Sequence, residues 1–154
     1  MKSNELLLDA FGRIHETVAL TLDGADGATL AHRPAGNGNS MAWLVWHLSR
    51  VEDAQVSSAA GLKQVWTSQG FAGRFDLPLS ERDTGYGHSS GQVDAVKATP
   101  ELLLEYYDAV HRQTVAFLNT LGDEDLDRVV DERWDPPVTL GVRLVSTLAD
   151  CLQH

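Results

Sequence analysis

Two residues near the end of the chain have the spacing of a metal-ligand pair. Asp150 and His154 are four residues apart, which on a helix stacks their side chains on one face, roughly 5–6 Å apart at Cβ. A third candidate ligand, His47, lies far earlier in an apolar stretch. Two imidazoles and one carboxylate that leave a coordination position open are typical of catalytic rather than structural metal sites. These ligand types suit zinc, nickel or ferrous iron.

The same residues also have a purely structural interpretation. An Asp and a His four residues apart are common as a helical ion pair or as part of a polar surface stripe. His47 lies between Trp46 and Leu48, and a buried imidazole without a metal must bond to a neighbouring group, because an unpaired polar group is costly to bury. Spacing alone leaves both interpretations open.

The stretch around His47 is predicted to form a helix from about Met41 to Ala60. Ser40 can cap its first free N–H groups, and Gly61 ends it. Apolar residues spread around most of its circumference, which favours a position inside a helical bundle. Helical spacing is carried by Leu44, Leu48, Val51 and Gln55.

Three more segments have helical patterns. The first covers residues 4–22, the third begins at Pro100 behind a Thr99 cap, and the last begins behind a Thr139 cap. A short helical turn is expected near residues 123–126. No segment has a convincing strand pattern, so the sequence predicts an all-α four-helix bundle.

Residues 61–98 form a long connection that glycines interrupt repeatedly and that carries interleaved aromatic residues. Such a crossover between helices 2 and 3 lets them run parallel. We expect its aromatic residues to anchor it to the bundle, and some of them could form the lid of a pocket. The whole chain, 1–154, is predicted to be a single domain.

Weaker candidates for contact with a cofactor are Trp43, His15 and Tyr86. Trp43 could wall a ligand pocket or simply pack in the core. His15 could point inward beside His47, although a partly exposed edge position is the expected one. Tyr86 and its neighbour His88 lie in the crossover and could reach the site.

Two further features are predicted to be structural. Cys151 is expected to be an inert core thiol. Arg50 and Asp53, three residues apart, are expected to pair on a helix surface. As a candidate ligand, Asp150 is expected to lie well away from the centre of the apolar face of the last helix, so that the site opens to the side of the core, toward a cavity. The centre of that face is predicted at Val145, Leu148 and Leu152.

The composition excludes some classes of partner. Acidic residues outnumber basic ones by 22 to 12, the net charge is −10, and no basic cluster is present. This charge repels nucleic-acid backbones and anionic lipids, so neither is an expected partner. The single cysteine cannot form an internal disulfide. With no signal-peptide pattern and no apolar run long enough to cross a bilayer, a cytoplasmic protein is predicted.

Three segments of the sequence resemble signatures of one family. The stretch from Asn39 to Leu48, with Glu52 and Asp53, resembles the first metal-binding helix of the DinB-like superfamily. Residues 83–88 and 133–141 resemble later signatures of one branch, which is similar to the N-terminal metal-binding domain of mycothiol-dependent maleylpyruvate isomerases. The resemblance covers nearly the whole chain and implies an up-down-down-up bundle that binds a divalent ion.

The resemblance also implies the identity of the metal ligands, which are His47, Asp150 and His154. Many relatives have histidine at the position of Asp150, and the isomerase branch has glutamate, which is one methylene longer than aspartate. His154 is the last residue of the sequence and is expected to fray unless a partner subunit holds it.

The function implied by the resemblance is enzymatic. Zinc is the expected ion, and a low-molecular-weight thiol of the mycothiol type is the expected cosubstrate, for S-transfer to, or isomerisation of, a small electrophile. A homodimer is expected. Two alternatives stay open: a hydrolase in which the metal activates water, and a non-catalytic helical dimerisation module with a vestigial site.

Overall fold

Four long helices form the bundle and shorter elements connect them. The computed structural model describes all residues from Met1 to His154. The long helices are α1 (Ser3–Leu22), α3 (Met41–Ala60), α7 (Pro100–Leu118) and α8 (Leu140–Gln153). The short helices are α2 (Gly27–Ala31), α4 (Val65–Ser68), α5 (Phe71–Phe75) and α6 (Ser90–Ala95), and 3₁₀ turns cover Pro34–Gly36 and Asp123–Asp127. The all-α prediction is confirmed.

Side-chain caps fix the start of three of the long helices, as their sequences predict. Ser40 accepts a hydrogen bond from the backbone N–H of Trp43 at the start of α3, and Thr99 accepts one from Leu102 at the start of α7. Thr139 does the same at α8. α3 ends at Gly61 in a left-handed conformation with φ of 68°, which glycine adopts without steric cost.

Contacts between the helices define their directions. Arg50 bonds to Tyr106, and Ser57 to Gln113, so sequence numbers rise together along α3 and α7, which are parallel. Gln55 contacts Arg143 while Leu48 contacts Cys151, so α3 and α8 are antiparallel. α1 is antiparallel to α7, because His15 bonds to Asp108 and Ser3 to Asp123. Hence α1 and α8 run one way, and α3 and α7 the other.

The crossover between α3 and α7 contains α4, α5 and α6, and its aromatic residues mostly anchor it as expected. Trp66, Phe71 and Phe75 are buried in the core. Tyr86 differs, because 89% of its surface is exposed. The guanidinium of Arg50 also lies over a ring of Trp66, with its Cζ atom 4.9 Å from the ring centroid.

Two short strands precede α8, contrary to the prediction of no strand. Val129–Asp131 (β1) pairs antiparallel with Val138–Thr139 (β2). Strands of three and two residues are too short to show alternation in a sequence, which is why the pattern missed them. Asp131 in β1 accepts hydrogen bonds from Arg133 and Arg143, and these bonds hold the pKa of its carboxyl well below the usual range. The hairpin is thereby tied to α8.

The predicted centre of the apolar face of α8 is wrong for two of its three residues, whereas Leu148 is half-buried against the core. Val145 and Leu152 are 60% and 72% exposed, whereas the buried side chains are Leu140, Leu144, Thr147 and Cys151. The sequence offers two apolar rows on this helix, and the bundle buries the row that includes the smaller, more polar Thr147 and Cys151. Cys151 is a buried thiol, as predicted, and burial raises its pKa.

Arg50 and Asp53 are also placed differently from the prediction, because they lie in the core rather than on a surface. Their side chains are almost fully buried and 3.6 Å apart. The Asp53 carboxylate accepts hydrogen bonds from the backbone N–H groups of Val65 and Trp66 and from the Tyr106 hydroxyl. A buried charge is tolerated when it is paired and fully bonded in this way. The pair therefore connects α3, the crossover and α7.

A second buried carboxyl group, Glu52, lies between α3 and α7. It accepts hydrogen bonds from the hydroxyls of Thr114 at 2.7 Å and Tyr107 at 2.8 Å. Burial raises the pKa of Glu52 from 4.5 to about 7, although these two hydrogen bonds offset part of the shift. The folded protein therefore binds a proton at Glu52 that the unfolded chain has already lost above pH 4.5.

The Glu52 contribution to stability is expected to be complete below pH 4.5 and to be lost as the pH rises to about 7. At about 1.4 kcal/mol per unit of pKa, the loss amounts to about 3 kcal/mol. The uncharged variant Glu52→Gln does not lose this contribution. Urea unfolding measures the free energy of unfolding of variant and wild type at each pH. Between pH 4.5 and about pH 8, the variant should gain about 3 kcal/mol of stability relative to wild type. A difference independent of pH would contradict the assignment.

Candidate metal centre

The three residues predicted as metal ligands lie together in the structure. His47 comes from α3, and Asp150 and His154 come from the end of α8, which runs antiparallel beside it. One potential ligand atom from each residue lies within 4.8 Å of the other two. The His47 Nε2 atom is 3.7 Å from Asp150 Oδ1, and His154 Nδ1 is 3.3 Å from the same oxygen. The burial of these residues decreases from His47 to His154.

A backbone carbonyl sets the tautomer of His47. The ring Nδ1 lies at hydrogen-bonding distance from the carbonyl oxygen of Thr84, which can only accept, so Nδ1 carries the proton. Nε2 then has a free lone pair, and it is this atom that faces Asp150. Burial lowers the pKa of His47, against the opposing effect of the Thr84 carbonyl, and favours the neutral imidazole that binds metals.

The surroundings of Asp150 Oδ1 favour a bound cation. This oxygen is buried and has no hydrogen-bond donor. Its nearest neighbours are His154 Nδ1 at 3.3 Å, whose proton is donated to the Asp150 carbonyl, and His47 Nε2 at 3.7 Å. The lone pair of His47 Nε2 and this carboxylate oxygen are two electron-rich atoms with no proton between them. That arrangement is unfavourable in a poorly solvated site unless a cation joins the two atoms. The residues present therefore fit a divalent metal ion.

His154 contributes from the last turn of α8. Its Nδ1 donates a hydrogen bond to the backbone carbonyl of Asp150 at 2.8 Å, which orients the ring. The His154 ring is perpendicular to that of His47, with centroids 4.5 Å apart. With its proton on Nδ1, His154 would bind a metal through Nε2, so the 3.3 Å distance describes how the ring packs on Asp150 and is not a ligand contact.

Trp43 supports the site from behind rather than forming a wall of the cavity. Its ring stacks on His47, with centroids 4.5 Å apart and an interplanar angle of 12°. The Trp43 indole N–H donates to Nδ1 of His88 at 3.1 Å, and Nε2 of His88 lies 3.6 Å from Asp83. His88 therefore contacts the site indirectly, through Trp43, which stacks on His47. From the sequence alone it was undecided whether His88 would contact the site.

The remaining weak candidates lie elsewhere. His15 does not lie beside His47, because its Nε2 bonds to Asp108 at 2.6 Å and its ring stacks on His111. It occupies the partly exposed edge position that the sequence predicts. Tyr86 points into solvent and touches neither the ligands nor the cavity described below.

Sequence reasoning missed the role of Thr84 and Gly85. A Cβ atom on Gly85 would lie 2.6 Å from His47 Nδ1 and 3.0 Å from the Trp43 ring, so only glycine lets the loop approach His47 this closely. Its φ of 94° also favours glycine. The Asp-Thr-Gly-Tyr-Gly-His stretch was visible as a signature, but nothing in the sequence connected it to His47.

Replacing Gly85 by alanine is expected to push Thr84 away from His47 and to weaken metal binding by about 10–100-fold, the usual effect of losing an outer hydrogen-bond partner. Gly87→Ala is the matched control, because Gly87 also has a positive φ but its Cβ would meet nothing within 4 Å. A competition titration with a zinc-binding dye measures both variants. Equal affinities for the two would show that the Thr84 contact does not matter.

A cavity of about 670 Å³ adjoins the site at His154, whereas His47 and Asp150 do not line it. It lies between α1, α3 and α8, and His154 forms part of its wall. Leu44 and Leu48, which flank His47 on α3, also line it. No residue of the crossover lines the cavity, so the crossover is not its lid. The size is that of a small-molecule site.

Fold and site together define a helical bundle with a candidate His–Asp–His metal centre. The sequence profile of the DinB superfamily matches residues 10–154, and the chain belongs to this superfamily. It is similar to a solved structure described as the conserved protein of a locus from Enterococcus faecalis, with 33% sequence identity and a TM-score of 0.91. That similarity covers 100% of this chain and 91% of the other.

No curated protein matches the sequence. The narrower resemblance to the maleylpyruvate isomerase branch stays a prediction. None of the helices combines the length and apolarity that crossing a membrane requires.

Proposed function

We propose that this protein is a metal-dependent enzyme that uses a low-molecular-weight thiol of the mycothiol type to modify or isomerise a small electrophile. The observation that carries the proposal is the lone pair of His47 Nε2 facing the unpartnered Asp150 Oδ1 at 3.7 Å, next to a cavity. Zinc is the expected ion. Nickel and iron are alternatives because they also accept imidazole and carboxylate ligands.

Each residue of the site has a distinct task in this proposal. His47 binds through Nε2 because Thr84 holds the proton on Nδ1. Asp150 supplies the negative charge, and His154 joins the ligand set to the cavity wall. The ion, when bound, would supply the Lewis acidity that keeps a coordinated thiol deprotonated at neutral pH. The apolar wall around Leu44 and Leu48 would keep water from the reacting electrophile.

The composition of the cavity wall favours a thiol nucleophile over activated water. A hydrolase commonly uses a carboxylate or histidine as general base beside the reacting water. Apart from the candidate ligands, the only titratable groups in the wall are the buried Cys151 and His32, which is exposed at the solvent side, so the wall offers no carboxylate and no buried histidine as that base. A thiolate needs no such base once it has formed.

A cobalt-substituted sample tests the proposal directly. Mycothiol, bacillithiol and glutathione are titrated separately, and binding by one of them should produce a sulfur-to-metal band in the near ultraviolet. Asp150→Ala should abolish the band, whereas Asp108→Ala, which alters a carboxylate bonded to His15 outside the site, should keep it.

Two other outcomes would replace the proposal. If no thiol gives a band but the metal-loaded protein hydrolyses esters or amides, the function is hydrolytic. If the protein binds neither metal nor thiol, the bundle is a non-catalytic module.

We also expect a homodimer, for which α8 offers an exposed apolar row of Val142, Val145 and Leu152. Val145→Glu, in the middle of this row, should shift the protein to a monomer in sedimentation velocity. Leu20→Glu, at a still more exposed position on α1, is the control that should leave the assembly unchanged. A wild-type monomer at tens of micromolar would contradict this expectation.

A further inference from the structure

The cavity beside His154 has a wall without permanent charge. Fifteen residues line it, and none is Lys, Arg, Asp or Glu. The charged residues of this chain, 12 basic and 22 acidic, are thus all excluded from a cavity of about 670 Å³.

The apolar part of the wall comes from the inner faces of two long helices. Ile14 and Val18 of α1 face Leu44, Val45 and Leu48 of α3 across the cavity. Branched aliphatic side chains of this kind stabilise a ligand by removing its apolar surface from water, at roughly 25 cal/mol per Å².

The polar side chains in the wall, besides His154, are those of Thr17, Thr21, Thr29, His32 and Asn39, and none is a Lys or Arg. Thr29, His32 and Asn39 are exposed residues from α2 and from the loop before α3, so they form the solvent side of the cavity. Hydroxyl and amide groups donate or accept single hydrogen bonds but cannot neutralise a carboxylate or phosphate. A ligand carrying such a charge inside the cavity would be unpaired, which is strongly unfavourable.

We propose that this cavity binds an uncharged, predominantly apolar small molecule and rejects carboxylate-bearing molecules of the same length. Calling that molecule the electrophile of the reaction depends on the proposed function, whereas the binding preference does not. The thiol then approaches from the solvent side, where the polar residues Thr29, His32 and Asn39 lie.

Binding is tested on protein stripped of metal, because a bound ion would itself attract carboxylates. N-phenyl-1-naphthylamine, a neutral fluorescent probe, should bind wild type and be displaced by dimethyl adipate. Adipate has the same carbon chain with two negative charges, and it should displace the probe at least about 100-fold more weakly. Equal displacement by the diester and the dianion would overturn the proposal, as would failure of the probe to bind.

Two substitutions at Leu44, which is half-buried in the wall, locate the binding site. Leu44→Trp fills the cavity and should weaken probe binding at least about 10-fold. Leu44→Arg introduces a cation and should reduce the preference for the diester over adipate at least about 10-fold. Leu6→Trp, on the exposed face of α1 outside the cavity, should leave both measurements unchanged. If Leu44→Trp binds the probe as wild type does, the ligand lies elsewhere and the proposal is wrong.

Metal analysis separates this inference from the proposed function. Selective binding of neutral ligands by a protein that takes up no metal supports the cavity assignment and overturns the metal-dependent reaction. Metal uptake together with equal binding of adipate and its diester overturns the cavity assignment and leaves the reaction standing. Circular dichroism on each variant confirms that it is folded before its binding is compared.

Discussion

Replacing His47 by alanine is expected to abolish binding of the divalent ion under conditions where wild type holds one ion per chain. His47 is the most buried of the three candidate ligands, and its Nε2 is the atom fixed most firmly toward Asp150. Loss of an outer partner already weakens metal binding by about 10–100-fold, so loss of a ligand should exceed 100-fold. Elemental analysis of untagged protein and competition with a chelating dye measure the effect.

The control for this experiment is His15→Ala. His15 is a histidine of the same bundle, but it bonds to Asp108 on α7 and has no contact with the candidate ligands. Its removal should leave metal content unchanged. If His47→Ala keeps full occupancy, the ligand set is wrong and His47 is a core histidine held by Thr84 alone.

The fold itself should not depend on the ion. Four long helices already bury a common core, and three of them begin with a side-chain cap. Of the three candidate ligands, only His47 is buried in that core. Metal would therefore add stability only through preferential binding to the folded state. The far-ultraviolet helical signal of the His47→Ala protein should match that of wild type, which keeps loss of metal distinct from loss of structure.

The helices and the pairing of Asp150 with His154 as candidate ligands could be predicted because their signals are local. A cap such as Ser40 and a stop such as Gly61 act within one turn, and α3 begins and ends where they indicate. Asp150 and His154 share a helix face by their spacing alone. Pairing them with His47 needed the family resemblance, since no spacing rule connects residues on different helices.

The features that the sequence did not predict depend on contacts between distant segments. Nothing near Thr84 indicates that its carbonyl will hold His47, because any residue can supply a carbonyl. Leu152 and Cys151 both suit a core, and only packing against α3 decides that Cys151 is buried. Arg50 and Asp53 have the spacing of an ordinary surface pair, and their burial depends on the crossover folding over them.

The buried Arg50–Asp53 pair is expected to make a large contribution to the stability of the fold. Asp53→Ala is expected to lower the free energy of unfolding by about 3–5 kcal/mol, the usual result of removing one partner of a buried ion pair. The substitution leaves Arg50 uncompensated and deprives Val65 and Trp66 of the acceptor that lies 2.8 Å from each backbone N–H. The Tyr106 hydroxyl also loses its acceptor.

Asp9→Ala is the matched control. Asp9 also pairs with an arginine on its own helix, Arg13, but this pair is exposed to solvent and should contribute little. Urea unfolding of both variants gives the comparison, and equal stabilities would show that the buried pair is not a stabilising element. Hydrogen exchange locates the effect, because the amides of Val65 and Trp66 should lose protection first in Asp53→Ala. Such local opening at the start of the crossover follows directly from the loss of their shared acceptor.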